Sequence, residues 1–191
     1  MIDRRTLLAL GAGLALPALR PARAQTAAPR ELRIGFQKTS VLLVAKHRGT
    51  LEERFRAVGV AVRWHEFSFG PPLLEALNVG SIDFGYTGDA PPIFAQAARA
   101  NLLYVGAIPA RGDNQAILVP DGSAVTDVAG LRGKRLAYAR GSSAQSMAVA
   151  AVQQAGLQWR DIVPVELAPA DAAAAFSRGN VDAWSIWDPF Y

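Results

Sequence analysis

The chain has 191 residues, of which 51% are hydrophobic and 19% charged, the composition of a globular protein with a substantial core. It contains no cysteine, which excludes disulfides, a redox dithiol, a thiolate nucleophile and cysteine-based zinc sites. The formal charge is +4, but residues 1–24 hold four arginines and one aspartate, so the remainder carries only +1. That remainder has no strong positive field, and we expect no binding to nucleic acid.

The first 24 residues have the pattern of an export signal. Arg4 and Arg5 precede an apolar run over 6–16, which is shorter than the ~20 residues of a membrane-spanning helix. Helix-breaking prolines follow, and an A-x-A site ends at Ala24. We predict a signal peptide over 1–24 and a linker over 25–30. The paired arginines favour the twin-arginine route over general secretion. A buried N-terminal helix is the alternative.

From residue 31 onward, apolar runs of strand length alternate with segments of helical pattern. This alternation predicts α/β architecture with parallel sheets built from βαβ units. Gly49 is expected to break the first helix, and prolines are expected in the first turns of two later ones. The predicted strands cover 32–36, 60–67, 82–86, 102–108, 116–119, 134–139, 162–167 and 181–187. The predicted helices cover 41–58, 71–79, 91–99, 142–155 and 170–178.

One sequence pattern occurs twice. In 77–84 a helix runs into Gly80, and a strand then starts with an aliphatic residue followed by Asp83. The same arrangement recurs in 176–183, with Gly179 and Asp182. The repetition favours two similar α/β lobes, 31–115 and 116–191. Since helix–Gly–strand joins are common in α/β proteins, a chance echo is the alternative.

Two strand-to-helix junctions are candidate anion sites, because ligands bind at the carboxyl ends of parallel strands, where helix N-termini converge. The first contains Thr87, Gly88 and Asp89, and the second contains Gly141 and two serines, Ser142 and Ser143. Free N–H groups, the positive end of a helix dipole and hydroxyl donors stabilise an oxyanion. Helix capping by Asp89 and Ser142 without any ligand is the alternative, and a carboxylate at Asp89 is better suited to ordering the turn than to touching an anion.

Further candidates lie at other strand ends. Gln37 and Lys38 follow the first strand and either point into the cleft or lie in a solvated loop. Trp184 and Trp187 are three apart on one strand and face opposite sides, so one is expected in the core. Trp187 is the candidate to line an apolar part of the ligand. The stretch 67–72 sits at another strand-to-helix junction and either lines the apolar part of the ligand or packs in the core, with core packing the preferred interpretation.

Six stretches carry a resemblance to a known family. They are 32–38, 74–83, 87–97, 103–106, 141–143 and 180–189, in this order along the chain from Glu31 to Tyr191. On these residues the chain resembles the aliphatic sulfonate-binding proteins of ABC importers, within the nitrate, sulfonate and taurine group of type II periplasmic binding proteins.

The resemblance implies a periplasmic, monomeric binding protein without catalysis, cofactor or metal. Its two lobes would close over a small organic anion and deliver it to permease and ATPase subunits, touching the membrane only through the permease. Sulfonate, taurine, nitrate and a sulfate ester remain open as ligands. The ligand head would lie near Gln37, Gly88, Asp89 and Ser142, with Trp187 on the hinge side. All candidate ligand-binding residues are Gln37, Lys38, Thr87, Gly88, Asp89, Gly141, Ser142, Ser143 and Trp187.

Two departures from the family are visible. Its members continue well past Tyr191, so we expect a C-terminally truncated chain whose second lobe, and return to the first lobe, are incomplete. Missing strands would leave an open sheet edge and exposed apolar surface, which favour aggregation. The loop 111–114 has no assigned role.

Two other functions share this architecture. Enzymes on the fold include pyrrole deaminases, which attach a cofactor through cysteine, and thiamine-pyrimidine synthases, which need a His and Cys set. His47 and His65 have no partner at motif spacing and are expected at surface or satisfied core positions. The ligand-sensing domain of a transcription regulator would need a basic helix-turn-helix at the N-terminus, where the export pattern stands instead.

Overall fold

In the computed structural model, residues 29–109 and 113–191 are described, and they form two β-sheets flanked by helices. The strands are β1 (Glu31–Phe36), β2 (Ala61–Glu66), β3 (Phe84–Gly85), β4 (Gln115–Leu118), β5 (Arg135–Tyr138), β6 (Val163–Glu166) and β7 (Ala183–Trp187). The helices are α1 (Val41–Arg48), α2 (Thr50–Arg56), α3 (Gly70–Asn78), α4 (Ala90–Ala97), α5 (Ser143–Gln154) and α6 (Pro169–Ser177). Short 3-10 turns at Ala129–Leu131 and Trp159–Asp161 were not predicted.

The first sheet has the order β2-β1-β3, with all strands parallel, as predicted. Its central strand β1 places Ile34 and Phe36 in one apolar cluster with Leu42 of α1. A second cluster holds Leu73 and Leu74 of α3 together with the buried Ile82. Gly49 has a φ of 63° and separates α1 from α2, so the predicted break is confirmed.

The second sheet has the order β4-β7-β5-β6. Strands β5, β6 and β7 are parallel, whereas β4 runs antiparallel to β7, so the prediction of parallel strands is wrong for β4. Strand β4 is the first element of this sheet along the chain and follows α4 of the first unit. Apolar clusters cover both faces, one around Leu136 and Val152 and the other around Ala137 and Trp184. Trp184 is therefore the predicted core tryptophan.

Matching ion pairs hold the amino ends of the central strands in the two sheets. The backbone N–H of Arg33 donates to Asp83 Oδ2 at 2.8 Å, and its guanidinium Nη2 donates to Oδ1 at 2.6 Å. Arg135 makes the same two contacts with Asp182, at 2.7 and 2.9 Å. The backbone N–H of each aspartate returns a bond to the carbonyl of its arginine.

The carboxyl ends of the same strands carry a second matching pair. Lys38 Nζ lies 3.4 Å from Glu66 Oε1, and Arg140 Nη1 lies 3.5 Å from Glu166 Oε2. Each cation comes five residues after the arginine of its central strand. The two sheets therefore repeat one unit, β1, β2 and β3 corresponding to β5, β6 and β7. The Arg–Asp pairs explain why the repeated sequence pattern contains an aspartate in each copy, Asp83 and Asp182.

Replacing Asp182 by Asn is expected to destabilise the protein by about 1 kcal/mol, or to lower Tm by ~2–4 °C, since the ion pair is partly exposed. Hydrogen bonds from Arg135 lower the pKa of Asp182 to about 2 from 3.8. The stabilisation is thus present above pH ~4 and is lost as the pH falls from ~4 towards 2. Thermal melts of D182N and wild type should differ at pH 7 and converge as the pH falls from ~4 towards 2, whereas D121N, at an exposed turn position, should follow wild type throughout.

The strand predicted over 102–108 is wrong. Residues 101–109 have no regular secondary structure, and Leu103, Tyr104 and Val105 are 87%, 69% and 78% exposed. A strand needs a hydrogen-bonding neighbour, and within the described residues β3 has a partner on only one side. In the second sheet the equivalent outer side of β7 is occupied by β4.

The predicted signal over 1–24 and residues 25–28 of the linker over 25–30 lie outside the described residues, as do residues 111 and 112 of the loop 111–114. Of that loop, Asn114 accepts a hydrogen bond from the N–H of Asp188 at 3.1 Å. No helix in the described ranges is both long and apolar enough to cross a bilayer. Other predicted elements are present with small shifts of their ends, except that β3 is shorter than predicted.

Candidate functional site

The two predicted junctions, β3 to α4 and β5 to α5, lie against each other. A Cβ added to Gly88 in the first junction would overlap the hydroxyl oxygen of Ser143 in the second. A Cβ on Gly141 would lie 3.2 Å from Pro71 Cγ and 4.0 Å from Phe94 Cδ2, which belong to α3 and α4. The carboxyl edge of the first sheet therefore contacts that of the second through glycines from both sides.

The second junction supplies free donors at a helix N-terminus. The N–H groups of Ser143 and Ala144 lie in the first turn of α5, where no intrahelical acceptor exists. Neither donates to another described residue. The dipole of this 12-residue helix adds partial positive charge at the same end. These two N–H groups are suited to an oxyanion.

Ser142 caps α5 from the inside. It is 1% exposed, and its hydroxyl donates to the carbonyl of Ala139 at 2.6 Å and accepts from the N–H of Gln145 at 3.4 Å. The capping interpretation of Ser142 is confirmed. The hydroxyl of Ser142 is therefore occupied within the protein. The side chain that meets Gly88 at the junction is that of Ser143.

The first junction supplies donors from its loop rather than from its helix. The N–H of Ala90 is taken by the carboxylate of Asp89 at 2.8 Å, and Pro91 and Pro92 have no N–H. Asp89 therefore orders the turn, as predicted. The N–H groups of Gly88 and Asp89 donate to no other described residue.

Thr87 carries a further potential donor in this loop. Its Oγ1 is buried and has no hydrogen-bond partner among the described residues. A buried hydroxyl without a partner costs about 1–3 kcal/mol, so such atoms are rare unless something else satisfies them. We expect a ligand to contribute to satisfying Thr87.

Gln37 and Lys38 take different positions. Gln37 is 7% exposed, and its Nε2 donates to the carbonyl of Tyr86 at 3.0 Å, which ties the end of β1 to the loop that contains Gly88. The side chain of Lys38 is 68% exposed and pairs with Glu66. The structure thus places Gln37 beside the first junction. Lys38 lies in a solvated loop, which was the alternative interpretation for these two residues.

Four charged side chains at the carboxyl edges form two ion pairs. Lys38 and Arg140 each contact a glutamate. Burial, followed by the charge of Glu166, raises the pKa of Tyr138 to about 12, so this phenol stays neutral and donates to Glu166 Oε1 at 3.2 Å. The donors of the junction are consequently neutral N–H and O–H groups, which do not titrate near neutral pH.

Trp187 stands at the carboxyl end of β7. It is half-buried and packs edge-on against Phe190, with ring centroids 6.1 Å apart. In the register of the sheet it lies three residues beyond Trp184, which is opposite Ala137, and so is level with Arg140. The structure places Trp187 at the same edge as the second junction, packed on the cluster around Ala137 and Trp184.

Two side chains at this site, those of Phe94 and Gln145, were missed from the sequence, whereas Pro71 belongs to the stretch 67–72, which was considered as an apolar wall of the ligand but preferred as core. Pro71 and Phe94 lie beside Gly141, and the side-chain oxygen of Gln145 accepts the N–H of Gly141 at 2.6 Å. The Ser-x-x-Gln spacing from 142 to 145 is a capping-box pattern and was the available signal for Gln145. Phe94 carries no such signal, because its contact with Gly141 is between the two halves of the chain. His47 and His65 are exposed, and no metal-binding group of three or more His, Asp or Glu occurs in the described residues.

Two α/β units of one topology, joined through β4 and touching at their carboxyl edges, define a type II periplasmic-binding-protein fold. The alkanesulfonate-binding protein SsuA from Xanthomonas axonopodis pv. citri, bound to MOPS, matches with a TM-score of 0.82 and 54% identity over 85% of this chain and 56% of its own. The periplasmic aliphatic sulphonate binding protein SsuA from Escherichia coli matches with a TM-score of 0.73 and 52% identity over the same shares.

The family described as NMT1/THI5 like matches residues 38–189, and the chain belongs to this family. A curated relative from Escherichia coli (strain K12), of the aliphatic sulfonates-binding group, is 51% identical over 169 residues, which are 88% of this chain and 52% of the relative. The chain thus spans about half the length of the curated relatives it matches.

Proposed function

We propose that this chain is part of an exported binding protein that captures an aliphatic sulfonate in the periplasm and delivers it to the permease and ATPase of an ABC importer. The observation that carries the proposal is the contact between Gly88 and Ser143, which brings unpaired N–H groups from both junctions together. The similarity to SsuA proteins supports the ligand class. No catalysis is proposed, and binding is proposed to occur in a monomer.

The mechanism is capture by fixed donors. The sulfonate oxygens accept from the N–H groups of Gly88, Asp89, Ser143 and Ala144, and from the Thr87 hydroxyl. Each charge-assisted bond contributes roughly 1.5–3 kcal/mol. Closure of the two lobes excludes water from these bonds and strengthens them. Asp89 stays turned to its own helix through its bond to Ala90.

The apolar surroundings favour an organic anion over nitrate. Pro71 and Phe94 lie within 4.0 Å of the position of a Cβ on Gly141, and Phe94 is 51% exposed. An alkyl chain attached to the sulfonate buries its surface against these side chains, at about 25 cal/mol per Å². Nitrate has no such group, and the polar taurine ammonium gains less.

Calorimetric titration with ethanesulfonate, butanesulfonate, taurine, nitrate and sulfate tests the proposal. We expect the two alkanesulfonates to bind most tightly, with affinity constant from pH 6 to 9 because neither the ligand nor the donors titrate there. Preferred binding of nitrate would select the alternative small-anion function. Binding of none of these anions contradicts the proposal.

A further inference from the structure

Gln145 closes a ring of hydrogen bonds at the start of α5. Its backbone N–H donates to Ser142 Oγ at 3.4 Å, and its side-chain Oε1 accepts the N–H of Gly141 at 2.6 Å. In a capping box, the residue at the third helical position reaches back to the cap residue. Here the amide reaches one residue further, to Gly141, and thereby holds the peptide that precedes the cap.

This arrangement decides which donors remain free. With the N–H of Gly141 occupied by Gln145, the free groups of the junction are those of Ser143 and Ala144. Gly141 has a φ of 69° and contacts Pro71 of the other lobe. Holding its peptide therefore fixes both the donors and the surface against which the first lobe closes.

The side-chain amide of Gln145 is uncharged, which affects whether an anion can bind beside it. Glutamate has the same shape and accepts the same hydrogen bond, and at a helix N-terminus a carboxylate is favoured over a neutral group. The side chain of Gln145 nevertheless shares the N-terminal end of α5 with the free donors. A carboxylate there would repel any bound anion at short range.

We propose that Gln145 is a positioning residue of the anion site: its neutral amide orients the Gly141 peptide without placing negative charge beside the ligand. This inference rests on the proposed function. It assigns to Gln145 a role in anion binding that differs from helix capping alone, because a capping residue tolerates the charged isostere and an anion site does not.

The test compares Gln145→Glu with Gln153→Glu, which makes the same change at an exposed position about 12 Å further along α5. Butanesulfonate is the titrant, and Tm is measured in parallel. We expect Q145E to keep or raise Tm and to lose at least tenfold in affinity, while Q153E binds as wild type does. Equal affinity of Q145E and wild type, or an equal loss in Q153E, overturns the inference.

A Gln145→Ala variant covers the case in which Q145E does not fold. We expect Q145A to lose affinity through the released Gly141 peptide and to lose a few degrees in Tm. Retained affinity in Q145A contradicts the positioning role. Failure of the proposed function gives a different result, since wild type itself would then bind no alkanesulfonate.

Discussion

Gly88→Ala is expected to weaken alkanesulfonate binding about tenfold to a hundredfold. Gly88 is not among the glycines with positive φ, so its backbone accepts alanine without strain. The added methyl group would overlap the Ser143 hydroxyl, and the two lobes would be held apart at the site. Overpacking of this kind costs about 1–3 kcal/mol, and 1.4 kcal/mol corresponds to tenfold in affinity.

A double-mutant cycle tests whether the loss of affinity comes from the overlap with the Ser143 hydroxyl or from a general disturbance of the site. Ser143→Ala removes the overlapping oxygen, and the added Cβ of residue 88 then lies 3.4 Å from the Cβ of residue 143, an ordinary contact. We expect the double variant G88A/S143A to lose less binding free energy than the sum of the losses in the two single variants. Calorimetry with butanesulfonate measures all three. Additive losses would show that the two residues do not meet in the binding-competent form.

Ser143→Pro is expected to lower affinity by at least tenfold while the fold is retained. Proline is favoured at the first position of a helix, and Ser142 has ψ of 167°, a conformation that suits the residue before proline. The substitution deletes one N–H at the site and fills its position with the ring. The lost charge-assisted bond is worth roughly 1.5–3 kcal/mol.

Ser143→Ala is the matched control, because it removes the hydroxyl and keeps the N–H. Calorimetry should give S143P the larger loss, and thermal melts should show little difference between the two variants. If S143A loses as much as S143P, the hydroxyl carries the binding and the backbone donors do not. If neither variant loses affinity, α5 is not part of the site.

Much of the fold follows from local pattern. Period-2 runs around Ile34 and Leu136 predict the central strands, and Gly49 ends a helix because its φ of 63° is accessible to glycine. The strand predicted over 102–108 has the same apolar pattern and is nevertheless not a strand. An apolar pattern indicates that a segment is able to form a strand. The strand forms only where a neighbouring strand supplies backbone hydrogen bonds.

The candidate site was predicted in part. The positions of Gly88 and Gly141 follow from the strand–Gly–helix order, and Asp89 and Ser142 cap helices as one interpretation proposed. It was not predicted that the start of α5 offers free N–H groups whereas the start of α4 does not. Pro91 and Pro92 were the available signal, because they remove two N–H groups from α4. The sequence also does not say that Ser142 turns inward while its neighbour Ser143 meets the other lobe.

The sequence by itself determined the alternation of strands and helices, the two repeated units and the short segments that are candidates for anion binding. These features depend on neighbours within a few residues, such as a cap, a left-handed glycine or an apolar face. Only the tertiary structure decided that Gly88 meets Ser143, that Lys38 pairs with Glu66 and that β4 runs antiparallel to β7. Those facts depend on packing between residues far apart in the chain, for which a single sequence contains no local signal.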